Sequence, residues 1–168
     1  MESKTKQNSA ESADVSSVTR QQLIDGLNDD LAREYQAIIS YVIYSQAIKG
    51  AAYMNIAKEL EKHAGEELEH AITIAKQIDY LGGEITATPK EVRTSEDTRK
   101  MLEFDLENES ETIKAYRVRL RQSEALGEFA IGEHIRRILQ QEQEHLTDLA
   151  TALGQDAPNL SAPKKKAK

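Results

Sequence analysis

Residues 56–81 read IAKELEKHAGEELEHAITIAKQIDYL, and the spacing of apolar side chains in this stretch predicts a long α-helix. The apolar residues recur at steps of three and four, which places them on one helix face. Near its middle, that face is interrupted by His63, Glu67 and His70. A fold that buries this face must therefore also bury a Glu-x-x-His pair.

The same periodicity occurs in three other segments, so the sequence predicts an all-α fold. We expect helix A over 18–48, helix B over 52–81, helix C over 96–125 with Ser95 as its N-cap, and helix D over 128–153. A glycine stands at or just beyond the end of each segment, where helices commonly terminate. No alternating pattern of strand type competes with these assignments.

The lengths of the connections indicate how the four helices are arranged. The A–B and C–D links are only a few residues long, which predicts two antiparallel hairpins. The B–C link runs from Gly82 to Ser95. Fully extended, these residues span roughly 46–50 Å. A 30-residue helix is about 45 Å long, so the link can run the whole length of a helix. We therefore expect a four-helix up-down bundle with one long crossover between parallel helices B and C.

Composition narrows the classes of function. The 168 residues include 22 Lys+Arg, 29 Asp+Glu and no Cys, with a net charge of −7. The lack of Cys excludes disulfides, thiolate metal sites and thiol nucleophiles, and the acidic balance argues against a mainly nucleic-acid-binding protein. With no membrane span or leader, the expected location is cytoplasmic. We expect a disordered tail over 1–17, the bundle over 18–154 and a flexible basic tail over 155–168.

Each of the four core stripes is apolar except near its midpoint, where a Glu interrupts it, and on helices B and D a His follows three residues later. These residues are Glu34, Glu67, His70, Glu109, Glu142 and His145. Mid-helix residues meet at one level of a bundle, and buried unpaired carboxylates are costly. Two divalent cations would neutralise the four Glu, with the two His completing the coordination. Such ligands suit iron or manganese rather than structural zinc.

An internal repeat supports this site. The separations Glu34 to Glu67 and Glu109 to Glu142 are both 33 residues, and an offset of 75 relates Glu34 to Glu109, Glu67 to Glu142, His70 to His145 and Tyr41 to Tyr116. Two matched hairpins enclosing a two-metal centre account for this spacing.

The segments LAREYQAIISY at 31–41, GEELEHA at 65–71, MLEFDLENE at 101–109 and QQEQEHLTDL at 140–149 resemble the bacterioferritin branch of the ferritin-like superfamily. The resemblance covers about residues 18–153. It implies that Glu67 and Glu142 bridge two irons, that Glu34 and Glu109 each bind one iron, and that His70 and His145 are the nitrogen ligands. Tyr41 falls at the family's tyrosine beside the site.

The sequence departs from that family in two ways. Leu68 stands where the family has its haem-ligating Met, so we expect no haem. The residues after Gly154 are too few for the family's usual fifth helix, which weakens the case for a 24-subunit shell and leaves a 12-subunit shell or a smaller assembly open.

The resemblance implies a ferroxidase that oxidises Fe(II) with dioxygen or hydrogen peroxide and stores Fe(III) in a homo-oligomeric shell. The alternative is a peroxide-detoxifying enzyme of the rubrerythrin or manganese-catalase kind. Thr112 stands where rubrerythrin-type sites add a carboxylate, which disfavours that alternative. A bundle with buried Glu–His hydrogen bonds and no metal, and an interaction protein acting through its tails, are the remaining interpretations.

Residues outside the ligand set carry further expectations. Tyr41 and Tyr116 are expected to be core residues whose hydroxyls reach the site carboxylates, Tyr41 being the residue assigned beside the site, with a redox role for either as the alternative. His63 is expected to be a hydrogen-bonded core residue rather than an extra ligand. Carboxylates flanking the ligands are expected mostly on the solvated surface, some of them lining a cavity; these are Glu66, Glu69, Glu107, Glu111 and Glu144.

Two surface features concern partners. Helices A and B carry a second apolar stripe, which predicts a two-fold dimer of A–B hairpins; it includes Ile24, Tyr35, Ile39, Val42, Ile43 and Leu68. The lysines of 164–168 form a solubilising tail, with weak DNA contact as the alternative.

Overall fold

The computed structural model describes residues 17–161, and in this range the chain forms four long α-helices and no strand. The helices are α1 (Arg20–Ala47), α2 (Met54–Tyr80), α3 (Thr98–Ala125) and α4 (Phe129–Ala152). A single 3₁₀ turn, Ala51–Tyr53, precedes α2. The predicted all-α bundle is confirmed, and each helix boundary lies within two residues of its predicted position. Residues 1–16 and the Lys-rich run at 164–168 lie outside the described range.

The helix ends follow from local sequence. Thr19 caps α1 by accepting a hydrogen bond from the Gln22 backbone, and the Gln22 side chain accepts one from Thr19 in return, which forms a capping box. The prediction of Ser95 as the N-cap of α3 is wrong. The cap is Asp97, whose side chain accepts from the Lys100 backbone at 3.2 Å, while Ser95 accepts from the Asp97 backbone.

The direction of each helix is visible in its cross-helix contacts. Tyr41 and Tyr116 of α1 and α3 bond to Glu109 and Glu34 of the facing helix, so α1 and α3 are antiparallel. On α2 and α4, His63 bonds to Asp148 and His70 to Gln141, so these helices are also antiparallel. Since α1 and α2 form a hairpin, α2 and α3 run parallel, as predicted.

The crossover between α2 and α3 runs along α1. Asn28 bonds to the backbone of Glu84 and Thr86 near the start of the crossover, each at 2.8 Å. Further along, the Lys90 backbone donates to the Ala32 carbonyl at 2.9 Å, and the Tyr44 hydroxyl donates to a crossover carbonyl. This long link is therefore held in place by side chains and a backbone carbonyl of α1 rather than left as a free loop.

The apolar core is divided into two clusters by a polar layer at mid-height. One cluster packs around Leu27, Ile78 and Ile135, and the other around Tyr44, Leu60 and Leu102, and all of these are fully buried. Burial of each such aliphatic side chain contributes about 1.5–3 kcal/mol. The two clusters therefore hold the helices together on both sides of a layer that apolar burial alone would not stabilise.

A buried ion pair links α1 to α3 below this layer. Arg119 donates to both carboxylate oxygens of Asp30, at 2.7 and 3.3 Å, and neither residue is more than 7% exposed. Gly26 makes room for the guanidinium, because a Cβ there would lie 1.9 Å from Arg119 Nη1. The pairing was not predicted from the sequence.

Residues beyond α4 pack back onto the bundle as far as the described range extends. Gly154 ends the helix with a φ of 71°, a conformation that glycine adopts without strain. Arg117 of α3 then donates to the Leu160 carbonyl at 3.3 Å. None of the four helices is long and apolar enough to cross a membrane.

Candidate metal centre

The six predicted ligand residues meet in the polar layer, and all are at most 3% exposed. Each helix contributes one Glu, and α2 and α4 each add the His one turn later; they are Glu34, Glu67, His70, Glu109, Glu142 and His145. Steps of three and four residues along a helix keep a Glu and its His on one inward face. The sequence periodicity therefore brings all six together.

The carboxylates of Glu67 and Glu142 each span the space between the two imidazoles. One oxygen of each faces Nδ1 of His70, at 3.1 Å for Glu67 and 3.3 Å for Glu142. The other oxygen of each faces Nδ1 of His145, at 2.7 Å and 3.3 Å. Both carboxylates are thus shared between the two halves of the centre.

The two remaining carboxylates are not shared. Glu34 lies on the His70 side, with Oε2 at 3.5 Å from Nδ1, and Glu109 groups with His145. The donor atoms form two sets, each with three Glu and one His within 4.8 Å of one another, and the sets have Glu67 and Glu142 in common. The geometry is compatible with two cation positions that share two carboxylates.

Several donor atoms of this layer face one another without the geometry of a hydrogen bond. Among the described residues, the buried Oε2 of Glu34, Oε1 of Glu67, both oxygens of Glu142 and Nδ1 of His145 have no hydrogen-bond partner. Buried polar atoms are normally satisfied, so this many orphaned atoms aimed at one space indicates a missing partner. Cations fit this donor set because every orphaned atom has a lone pair to offer.

Two tyrosine hydroxyls hold the unshared carboxylates from outside the layer. Tyr41 donates to Oε1 of Glu109 and Tyr116 donates to Oε1 of Glu34. The predicted contacts between these hydroxyls and the site carboxylates are confirmed. Each hydroxyl occupies one oxygen, and on Glu34 this leaves Oε2 directed at the centre.

Nε2 of each of the two predicted His ligands makes a hydrogen bond that points away from the centre. Nε2 of His145 lies 2.9 Å from a Glu66 carboxylate oxygen, and Nε2 of His70 lies 2.9 Å from the Gln141 side-chain oxygen. An acceptor at Nε2 places the proton there and leaves Nδ1 free as the ligand atom. Glu66 was expected mainly as surface, and it is instead only 20% exposed.

Electrostatics in the cation-free centre are dominated by burial and crowding. Burial raises the pKa of Glu34 and Glu109 well above the usual range, and the charges of neighbouring carboxylates raise it further. Burial alone would lower the pKa of His145, but contacts with Glu142 and Glu67 raise it to about 12. Burial would raise the pKa of Glu67, but its contacts with Glu34 and both His lower it overall. Protons therefore neutralise part of the charge that cations would otherwise neutralise.

Comparison with known proteins decides the family. Residues 24–157 match the family model for the ferritin-like domain. This chain belongs to the ferritin-like family. It is 33% identical to the bacterioferritin of Desulfovibrio desulfuricans over 127 residues, which cover 74% of this chain and 70% of that one. It is 25% identical to the bacterioferritin of Brucella melitensis over 132 residues, covering 78% and 82%. The resemblance to bacterioferritins is confirmed.

Solved structures of this family share the fold. A ferritin-like diiron-carboxylate protein from Bacillus anthracis superposes with a TM-score of 0.76 at 34% identity, covering 85% of this chain and 99% of that one. A dodecameric thioferritin from Bacteroides fragilis gives 0.75 at 27% identity, covering 82% and 87%. The bacterioferritin of Rhodobacter capsulatus, solved with a metal-free dinuclear site and haem iron, gives 0.73 at 25% identity, covering 80% and 84%.

Proposed function

We propose that this protein oxidises Fe(II) at the six-residue centre and stores the resulting Fe(III) inside a homo-oligomeric shell. The observation that carries the proposal is the sharing of Glu67 and Glu142, whose two oxygens each face a different imidazole at 2.7–3.3 Å. Carboxylates in this arrangement suit two cations held close together. Membership of the ferritin-like family and the bacterioferritin relatives support the same chemistry at a general level.

Under this proposal, Glu67 and Glu142 bridge the two iron positions, Glu34 and His70 complete one, and Glu109 and His145 complete the other. Two iron ions bound there would supply two one-electron Fe(II)/Fe(III) couples. The two electrons released reduce dioxygen with two protons to hydrogen peroxide, or reduce hydrogen peroxide with two protons to two water molecules. Either acceptor balances the reaction.

The protein's own part is to favour the higher charge and to keep the ligands in place. Four carboxylates in a layer excluded from solvent stabilise a ferric pair more than a ferrous pair, because electrostatic interactions strengthen as the local dielectric falls. Tyr41 and Tyr116 hold Glu109 and Glu34 in orientation. Manganese fits the same oxygen and imidazole donors and is the alternative metal. Leu68 in place of the family's haem-ligating Met supports a haem-free protein.

An apolar face on α1 and α2 supports assembly. Its large apolar side chains are 38–55% exposed, and they are Ile39, Val42, Ile43, Leu68 and Ile72. Ile24, predicted for this stripe, is instead buried within the protomer. Exposed apolar area of this kind marks interaction surfaces, and we propose that it pairs two copies in a two-fold dimer of a 12- or 24-subunit shell.

Aerobic addition of Fe(II) followed by size-exclusion chromatography tests storage. The expected result is a particle many times the mass of one chain that carries many irons per chain in soluble form. A dimer that retains about two irons per chain would contradict storage and favour the peroxide-detoxifying alternative. That alternative is disfavoured because Thr112, which is buried, stands where rubrerythrin-type sites add a second carboxylate on α3.

A further inference from the structure

A second cluster of cation-binding side chains lies beside the six-residue centre and shares none of its residues. It consists of Glu59 and His63 on α2 and Asp148 on α4. One donor atom of each lies within 4.8 Å of the others, and Nε2 of His63 is 3.2 Å from Oδ2 of Asp148. An imidazole with two carboxylates is a donor set for a divalent cation such as Fe(II), Mn(II) or Zn(II).

His63 is a buried, hydrogen-bonded residue, as predicted, and it also lies beside two carboxylates. Its side chain is 1% exposed, yet Nδ1 has no hydrogen-bond partner among the described residues. Its ring stacks on the ring of His145, with centroids 4.0 Å apart, and Tyr41 contacts it edge-on at 5.5 Å. The nitrogen that faces the carboxylates of the cluster is Nε2, which contacts Asp148, so the imidazole presents this nitrogen toward the outside of the bundle.

The two carboxylates of the cluster are accessible from outside the bundle. Glu59 and Asp148 both line a surface cavity of about 200 Å³ between α2 and α4. Their side chains are 46% and 43% exposed, whereas those of the six-residue centre are buried. A cation can therefore reach this cluster with part of its water shell still in place.

We propose that Glu59, His63 and Asp148 form a third divalent-cation site that opens to this cavity. Two carboxylates and a neutral imidazole carry two negative charges, which one divalent cation balances. Lys62 lies 3.9 Å from Glu59 and 3.5 Å from Glu66, so its ammonium competes with a bound cation. The third site therefore binds more weakly than the six-residue centre.

The position of the third site suggests its use. A further group of donor atoms within 4.8 Å of one another consists of His63, Glu66 and His145. Cation-binding side chains therefore extend from the cavity to His145, a predicted ligand of the centre. The third site holds Fe(II) on its way to oxidation. This use rests on the proposed function, whereas binding itself does not.

Calorimetric titration of the metal-free full chain with Co(II) alone tests the binding. The expected result is two tight sites and one weaker site per chain. Glu59→Gln and Asp148→Asn, both at accessible positions, should each lower the affinity of the third site by about tenfold or more, because loss of even an outer-sphere partner costs about tenfold. The two tight sites should be retained. Glu144→Gln, an exposed carboxylate on α4, is the matched control and should leave all three.

The outcomes separate this inference from the proposed function. A wild type that binds two Co(II) and no third, or variants that keep the third site at full affinity, would overturn the third site and leave the proposed function standing. A wild type without the two tight sites would instead contradict the proposed function. His63→Gln tests the buried ligand in the same titration, and the third site should again bind Co(II) more weakly.

Discussion

The Glu66 carboxylate lies 2.9 Å from Nε2 of His145 and fixes which nitrogen of that imidazole faces the metal centre. In the other half, the neutral side chain of Gln141 takes the same place at His70, also at 2.9 Å. A carboxylate acceptor makes its imidazole a stronger metal ligand than a carboxamide does. The two halves of the centre have the same set of predicted ligands, but the hydrogen-bond acceptor behind the His is charged in one half and neutral in the other.

We predict that Glu66→Gln weakens the tighter of the two cation positions by about tenfold, because it removes the charged acceptor behind His145. Gln141→Glu should act in the opposite direction at the His70 position. Titration of the metal-free protein with Mn(II) measures both. Glu69→Gln, an exposed change on the same helix, is the control, and an unchanged affinity in Glu66→Gln would refute this role.

A second prediction concerns the tyrosine hydroxyls. Tyr41→Phe should leave an oxygen of Glu109 without its donor and so slow Fe(II) oxidation, and it should lower the free energy of unfolding by about 1–3 kcal/mol. Tyr44→Phe is the matched control, because that side chain is also buried but its hydroxyl donates to the Arg93 carbonyl, away from the centre. Stopped-flow oxidation and urea unfolding measure the two effects. Equal oxidation rates in wild type and Tyr41→Phe would count against a role for this hydroxyl at the site.

The buried ion pair yields a stability prediction. Arg119→Met removes the buried partner of the Asp30 carboxylate and leaves Arg33, whose side chain is 21% exposed, at 3.3 Å. Breaking a buried pair costs about 3–5 kcal/mol, and we expect a loss near the lower end of that range. The double variant Asp30→Asn with Arg119→Met should recover much of that loss, since no buried charge remains. Urea unfolding of the two variants and the wild type tests this. A double variant no more stable than Arg119→Met alone would contradict the argument.

The pKa shifts at the centre predict how metal stabilisation depends on pH. In the metal-free fold, the pKa values of Glu34 and Glu109 are raised above 4.5, and those of His70 and His145 above 6.5. These groups keep protons in the folded protein at pH values where the unfolded chain releases them. Their contribution to the free energy of unfolding is therefore fully present below the pKa values of the unfolded chain, and it is lost as pH rises through the pKa values of the folded protein. The lowered pKa of Glu67 acts in the opposite sense, below pH 4.5.

Bound cations replace those protons, so the gain in melting temperature on adding Mn(II) should be small at about pH 5 and large at about pH 8. Differential scanning calorimetry of metal-free and Mn(II)-loaded protein measures it. A gain that stays constant or shrinks as pH rises would show that these groups do not bind the metal.

The four helices were predictable because Leu, Ile and Glu recur on one face of each segment and glycines mark the ends. The meeting of Glu34, Glu67, Glu109 and Glu142 was predictable for the same reason, since mid-helix residues of a bundle share one level. The pairing of Asp30 with Arg119 was not predictable, because Arg119 lies off the apolar stripe of its helix. Its guanidinium reaches Asp30 only because Gly26 has no side chain in the way.

The 75-residue repeat in the sequence extends to residues other than the predicted ligands. Asp30 and Asp105 are also separated by 75 residues, as are Glu66 and Gln141, and the last two bond to the His residues of the centre. Asp105 is 2% exposed, and burial raises its pKa well above the usual range. The repeat therefore extended beyond the ligands themselves. The change from Glu66 to Gln141 within it is one difference between the two halves.

The central claim is that the six residues hold two irons and oxidise them. Its most direct test adds two Fe(II) per chain without oxygen, then mixes with dioxygen and counts the Fe(III) formed, for the wild type and for Glu142→Gln. Glu144→Gln is the control, and circular dichroism checks that the helices of each variant remain. The account predicts rapid oxidation of both irons in the wild type and in Glu144→Gln, and its loss in Glu142→Gln with helicity unchanged. Equally rapid oxidation in Glu142→Gln would contradict it.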